Sequence, residues 1–243
     1  MGRGVITSSH STNMKQQTFS LSIRSRNISC KPLKELTFPI KVIYRMGSTT
    51  PTHKITKQKR FIEINSTDAC KISANKILMK TRFQRGKIPT AEWFVINPND
   101  FAHEKIIYYL SIWKTIIIKH KCSSKGNGIY LIKSLEDYYD FLQKKEFPID
   151  SYVCEKYYTY SREYRLHVTT KGCFYAGRKM LKNDAQERWH RHGCNSVWIY
   201  EDNPLFDKPT NWKQIELACI NALKALNLDI AAFETKSFSD SLS

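Results

Sequence analysis

The 243-residue sequence has no Cys-x-x-Cys pair, no internal repeat and no apolar run of roughly 18 residues. It also lacks both common phosphate-loop signatures, G-x-x-x-x-G-K-[ST] and G-x-G-x-x-G, which excludes a P-loop NTPase and a dinucleotide-binding fold of the usual kind. The short apolar runs exclude a transmembrane helix of ordinary length, so no membrane partner is expected. Seven scattered cysteines (Cys30, Cys70, Cys122, Cys154, Cys173, Cys194 and Cys219) show neither structural-zinc spacing nor the even count of a disulfide framework. A reducing, intracellular and cytoplasmic setting is the expectation. Acidic residues are scarce: none precedes Glu35, and 22 stand against 39 Lys and Arg, for a net charge of +17. Such a balance calls for an anionic partner, whether nucleotide phosphates, nucleic acid or an acidic protein.

What is present centres on Thr115 to Gly128. Ile116, Ile117 and Ile118 read as a buried strand that delivers Lys119 at its end. A loop follows, Ser123-Ser-Lys-Gly-Asn-Gly128, in which Ser124, Lys125, Gly126 and Gly128 combine small residues with a cation. Small residues let backbone N–H groups approach a polyphosphate, and lysines neutralise its oxygens. A surface hairpin with solvated lysines is the better account of the loop when it is taken alone, so the phosphate reading depends on what flanks it.

Along the chain, residues 1–36 read as a disordered basic arm without the apolar core of a secretory signal. Folding is expected from Phe38-Pro-Ile-Lys-Val-Ile-Tyr44. Asn65-Ser-Thr-Asp68 offers helix caps, and Ala69, Ile72, Met79 and Phe83 follow at helical spacing to Gly86, with Lys76 inside that helix. Strands are expected at Trp93–Ile96, Ile116–Lys119, Gly128–Ile132 and Tyr152–Lys156, and a helix around 101–113. Ser134-Leu-Glu-Asp137 has capping-box spacing and opens a helix with Leu135, Tyr139 and Leu142 on one face. Glu163-Tyr-Arg-Leu-His-Val168 alternates strictly, placing Glu163, Arg165 and His167 together, and Thr170-Lys-Gly172 turns it into a partner strand from Cys173 to Lys179. Asn183 to Pro204 reads as an irregular basic lid. Its His190, His192 and Cys194 have a weak metal-ligating pattern, which the lid reading outweighs. Thr210 is expected to cap a last helix before a strand, Asp229 to Thr235, that presents Glu234.

In their order these segments resemble the ATP-grasp superfamily, over roughly Asn65 to Thr235. Asn75-Lys76 looks like its first phosphate lysine. Ile118-Lys119 with the Ser123 to Ile129 loop looks like its second lysine and flexible loop. Tyr152-Val-Cys-Glu-Lys-Tyr-Tyr158 is similar to the hinge strand that holds adenine, and Glu163 to Val168 to the strand with a ribose-binding acid and a reactive-centre arginine. Leu226 to Glu234 resembles the strand ending in a magnesium-binding acid, and Arg45-Met-Gly-Ser48 weakly resembles a segment of phage and bacillus members.

The resemblance implies an α+β fold of two lobes whose antiparallel sheets enclose a nucleotide cleft. It divides the chain into 37–66, an N-terminal strand and loop region; 67–154, the first lobe; and 155–243, the second. It implies ATP and Mg²⁺ as cofactors, with Lys76, Lys119, Ser124, Lys125, Gly126 and Gly128 on the phosphates. Glu155, Lys156, Tyr157 and Tyr158 would hold adenine, Glu163 the ribose, Glu234 the metal, and Arg165 and Arg178 the developing charge. The implied reaction is ADP-forming ligation of a carboxylate to an amine through an acyl phosphate. Two departures qualify it: Glu234 stands where the family has Asp, and no Glu-x-Asn motif follows it. A catalytically impaired ATP binder is therefore the alternative. A nucleic-acid binder, drawn from the charge and from Tyr157, Tyr158 and Tyr160 among cations, comes third because the charge is spread over the chain. On this reading Lys119→Ala is expected to weaken ATP binding and leave the fold intact.

Overall fold

Alternation along short β-branched runs and capped amphipathic helices produce three sheets in the computed structural model, which describes residues 19–25, 40–97, 102–124, 126–160, 162–185, 189 and 195–237. Two compact units result, Met1–Ile64 and Asn65–Ser243.

In the first unit, β1 (Phe19–Ser25), β2 (Ile40–Met46) and β3 (Phe61–Ile64) form a parallel sheet in that order. The reading of 1–36 as a disordered arm therefore does not hold for Phe19–Ser25. Its Phe-x-Leu-x-Ile alternation suits a strand, and its full register with β2 supplies the hydrogen bonds an isolated arm would lack. Arg45 of β2 is fully buried. Its guanidinium donates to Glu63 Oε1 from Nε (2.9 Å) and Nη2 (2.7 Å), to the Thr50 carbonyl (2.6 Å) and to Thr52 Oγ1 (3.1 Å). A buried planar cation needs this many acceptors, and it finds them in Glu63 of β3 and in the loop between β2 and β3.

The second unit opens on Asn65, in the left-handed region at φ 62°. Its Oδ1 accepts from the amides of Asp229 (2.9 Å) and Ile230 (3.2 Å), its Nδ2 donates to the Ile230 carbonyl (2.8 Å), and its own amide donates to Asp229 Oδ2 (2.7 Å). The start of the unit is thus fastened to its last strand. Asn65→Ala removes three of these bonds and leaves alanine at positive φ. It should destabilise the unit by about 2–4 kcal/mol in urea unfolding, and Asn65→Gly, which relieves only the backbone, should recover little of that.

Ser66 caps α1 (Thr67–Ala74), accepting from the Ala69 amide. The single helix expected here is two, because Asn75 adopts an extended conformation and caps α2 (Lys76–Arg85) through its side chain. Next come β4 (Trp93–Val95), α3 (Ala102–Trp113), β5 (Ile116–His120), β6 (Ile129–Ile132), α4 (Leu135–Lys144) and β7 (Tyr152–Lys156). The chain continues through β8 (Arg162–Thr169), β9 (Gly172–Leu181), β10 (Ser196–Tyr200), α5 (Trp212–Ala225) and β11 (Ile230–Ser237).

Two open antiparallel sheets form, in the orders β4-β7-β5-β6 and β10-β9-β8-β11. Ile116, Ile118, Tyr152 and Cys154 turn one face of the first sheet onto Ile106 of α3 and Tyr138 and Phe141 of α4. In the second, Tyr164, Leu166, Val168 and Ala176 pack on Cys219, Ala222 and Leu223 of α5, together with Ala69 of α1 and Phe83 of α2. The α1–α2 pair, assigned by sequence to the first lobe, is therefore packed in the second lobe's core.

Three local expectations change. The capping box of Ser134 and Asp137 is present, but α4 buries Tyr138 and Phe141 and leaves Leu135 and Tyr139 exposed. α5 is preceded by Asn211 as its cap residue, not Thr210, and has no side-chain cap bond. Part of the stretch read as an irregular lid is strand β10, which pairs with β9 from Ser196↔Leu181 to Tyr200↔Gly177. His190, His192 and Cys194 lie outside the described residues. No helix among those described is long and apolar enough to cross a membrane.

Candidate functional site

The outward faces of the two sheets carry the charged residues. In the first, Lys119 and Glu155 share a face because Ile117 stands opposite Glu155 and side chains alternate. The Lys119 ammonium lies 2.8 Å from Glu155 Oε2, and the buried Lys80 of α2 lies 3.6 Å from Oε1 while donating to Thr90 Oγ1 at 2.9 Å. Burial raises the Glu155 pKa, but Lys119 and Lys80 together outweigh it and hold the group below the ordinary carboxylate value. The Glu155 carboxylate, assigned to adenine by resemblance, is thus the counter-ion of two lysines.

The break at Asn75 makes Lys76 the first residue of α2. Its amide donates to the Lys121 carbonyl at 2.8 Å, and its ammonium donates to the carbonyls of His120 (3.1 Å) and Ser123. Lys76 is therefore tied to the loop after β5, and burial, then Lys119, lowers its pKa. In that loop Gly126 (φ 84°) and Gly128 (φ 63°) are left-handed, and a Cβ at Gly128 would meet His120 Cβ at 3.2 Å and Ser123 Oγ at 3.3 Å. Ser124 is exposed and its carbonyl accepts from the Asn127 amide; Lys125 lies outside the described residues. The His120 Nδ1 meets Ser123 Oγ at 2.9 Å, and burial, then Lys76 and Lys121, depresses its pKa.

Lys156 points away from Glu155. Its ammonium pairs with Glu92 at 2.8 Å, and the Tyr158 hydroxyl donates to the same carboxylate at 3.0 Å. Tyr157 donates its amide to the Thr115 carbonyl. The side chains of Lys156 and Tyr158 are thus engaged with Glu92.

On the second sheet, the buried Glu163 accepts from the Tyr160 hydroxyl at 2.9 Å and meets the Lys179 ammonium at 3.5 Å. Arg165 forms an ion pair with Glu234, directly opposite on β11, and lies 4.8 Å over the Trp198 ring. Arg178 is not among these groups. It stands opposite Tyr164, on the α5 side of the sheet, and pairs with Asp207. The cause is a β-bulge between His167 and Val168. An unbroken hairpin starting from Thr169↔Gly172 would bring Arg178 opposite Glu163; the extra residue puts Lys179 there.

Four residues not identified from sequence lie among these groups: Lys80, Lys179, Trp198 and Lys236. Lys236 stands opposite Glu163 on the cleft face of β11, its ammonium 4.2 Å over the Tyr160 ring. It keeps access to solvent, yet the protein around it lowers its pKa, and Lys119 lowers it further, while Glu163, Glu155 and Glu234 act in the opposite sense. The ion pair from Lys80 of α2, a helix packed on the second sheet, to Glu155 of the first sheet brings the two to one place. Only the period-two pattern Glu234-x-Lys236 could have signalled Lys236.

Hard Mg²⁺ needs several oxygen donors in near-octahedral array. Glu234 is held by Arg165, Glu163 by Lys179, and Glu155 by Lys119 and Lys80. Among the described residues no group of three His, Cys, Asp or Glu side chains could hold a metal. The side chains of the described residues do not fit a resident Mg²⁺.

No known family pattern matches the sequence and no curated protein is similar to it. Solved structures do match. D-alanine–D-alanine ligase from Coxiella burnetii superimposes with a TM-score of 0.61 at 12% identity, over 85% of this chain and 57% of that one. Carboxyaminoimidazole ribonucleotide synthase from Aspergillus clavatus, solved with ATP, gives 0.61 at 18% identity over 82% and 50%. The VanG D-Ala:D-Ser ligase from Enterococcus faecalis gives 0.61 at 11% over 85% and 62%. This chain has the ATP-grasp fold. It spans a half to about two thirds of the length of the enzymes it resembles.

Proposed function

We propose that the chain binds ATP between its two antiparallel sheets and belongs by activity to the ADP-forming carboxylate–amine ligases. The observation that carries this reading is the pairing of Lys80 and Lys119 with Glu155, beside Lys76, whose ammonium is tied to a loop with two left-handed glycines. A triphosphate supplies the anion such a cluster lacks. Lys76, Lys119 and the Ser124 to Gly128 loop take the phosphates, the backbone of Glu155 to Tyr158 the adenine, and Glu163 the ribose. Arg165 and Lys179, on the cleft face, stabilise charge on the transferring phosphoryl group. In the reaction a substrate carboxylate oxygen attacks the γ-phosphorus and the bond to the β-phosphate oxygen breaks, releasing ADP. An amine then attacks the acyl carbon and expels phosphate.

The test is ADP release from ATP against a panel of carboxylates and amines, with nucleotide binding measured in parallel. Release that needs both a carboxylate and an amine supports the ligase. Binding without release favours the second reading, an ATP-holding protein with no turnover, which the Arg165–Glu234 ion pair supports because it engages the carboxylate nearest the reacting groups. Lys179→Ala should weaken ATP binding by about tenfold or more, whereas Arg178→Ala should change it by no more than about twofold, both read by calorimetry. The reverse order would return Arg178 to the site.

A further inference from the structure

We infer that the triphosphate is held in this cleft by ammonium groups without a divalent metal, and that Lys236 supplies the positive charge between the two sheets that a metal would otherwise bring. The inference rests on the ATP-binding reading and deepens it.

Three observations lead there. First, the carboxylates are engaged: Glu155, Glu163 and Glu234 each have a cation within ion-pair distance, so a metal would have to break an existing pair to gain its first ligand. Second, strand alternation places a lysine two residues beyond Glu234 on the same face, where a second oxygen donor would be needed to share a metal with it. The two side chains leave β11 on the cleft side, one meeting Arg165 and the other the Tyr160 ring. Among the described residues Lys236 makes no carboxylate ion pair, and a ring face is a weaker partner for an ammonium than a phosphate oxygen.

Third, the balance is wrong for another cation. Lys76, Lys80, Lys119, Lys179, Lys236 and Arg165 surround three carboxylates, and Lys236 and Lys76 each feel the repulsion of Lys119. Burial lowers Lys76 and Lys80 alike, so both charges are held against a desolvation penalty. An unmetallated triphosphate relieves that penalty directly. A metal-capped one presents fewer free oxygens to the same lysines. Lys236 enters from β11, beside Arg165 of β8 and Lys179 of β9 on the same sheet.

Full-length protein is titrated with ATP by calorimetry in EDTA and again in excess Mg²⁺. Affinity in EDTA equal to, or greater than, that in Mg²⁺ is expected. Lys236→Met should lose about tenfold or more of the affinity in EDTA. Lys236→Asp, which sets a second carboxylate beside Glu234, should bind ATP better with Mg²⁺ than without it. Far-UV circular dichroism of each variant separates lost binding from lost fold. Wild-type affinity about tenfold or more stronger in Mg²⁺ overturns the inference and leaves the ATP-binding function standing. An unchanged Lys236→Met that remains folded overturns the part assigned to that side chain. No binding under either condition overturns both.

Discussion

Lys119→Met is expected to lower ATP affinity by about a hundredfold or more and to destabilise the protein at the same time. The first effect follows from the position of the ammonium at the end of β5, next to the glycine loop and the Lys76 ammonium. The second departs from what the motif alone implies. Lys119 is also the nearer of the two cations on the buried Glu155, at 2.8 Å against 3.6 Å for Lys80. Removing it leaves a carboxylate in a nearly dry site with one longer contact, at a cost of about 2–4 kcal/mol. The pH dependence has a defined sign. Because the folded-state pKa of Glu155 lies below the ordinary value of 4.5, its contribution is complete above that value and is lost as pH falls through the folded pKa. In Lys119→Met the folded pKa rises, so the acid-unfolding midpoint should move to higher pH. Lys119→Met/Glu155→Leu removes both charges; it should regain most of the stability and none of the ATP affinity. A single variant as stable as wild type would show that Lys80 alone satisfies Glu155.

The double role of Lys119 marks where the sequence was readable and where it was not. Local periodicity carries far: the Ile116 to Ile118 run, the Glu163 to Val168 alternation and the Ser134–Asp137 box all became the elements their patterns require. In Glu163, Arg165 and His167 even the face was legible, because a period of two needs no knowledge of a partner. Pairing across strands is a different kind of information. Arg178 and Lys179 are adjacent in sequence, and only the bulge at His167/Val168 decides which of them joins Glu163. Neither strand announces it; it shows only in the pairing of β8 with β9.

The same division explains the helices. The apolar spacing from Ala69 to Phe83 continues across Asn75, so periodicity reads one helix. The side chain of Asn75 instead caps a new one, turning Lys76 from a mid-helix surface lysine into the first residue facing the β5 loop. In α4 both faces carry large residues, and the choice of Tyr138 and Phe141 over Leu135 and Tyr139 was made by the sheet beneath. β1 was hidden by composition: a Ser- and Arg-rich stretch satisfies the description of a basic arm until β2 supplies its partner. Lys236 and Trp198 could not be singled out for a related reason, since each acquires its place only from the strand opposite.

Arg45→Met is expected to produce the largest stability loss in the first unit, about 3–5 kcal/mol. The sequence offered Arg45 only as part of a weak likeness, but its surroundings show a structural role. The guanidinium is fully buried between β2 and β3, and Thr52 Oγ1, which accepts from it, donates to the same Glu63 oxygen at 2.7 Å. Methionine matches the stem and fills part of the volume, so the loss reads the abandoned carboxylate and carbonyls more than a cavity. Hydrogen exchange is the measurement of choice, because it reports the two units separately. Protection in Ile40–Met46 and Phe61–Ile64 should fall sharply, while amides of β8 and β9 keep theirs if the second unit's core is independent of this pair. Arg45→Met/Glu63→Leu tests the cause. If the penalty comes from an uncompensated charge, the double variant recovers most of the protection; if Arg45 acts chiefly through the Thr50 and Ser48 carbonyls, it recovers little. Either result bears on the loop that follows β2, because those two carbonyls fix its path. A loop held by three guanidinium hydrogen bonds, to the Ser48 and Thr50 carbonyls and Thr52 Oγ1, is rigid only while the charge has its acceptors, so its order should fail together with the ion pair and not before it.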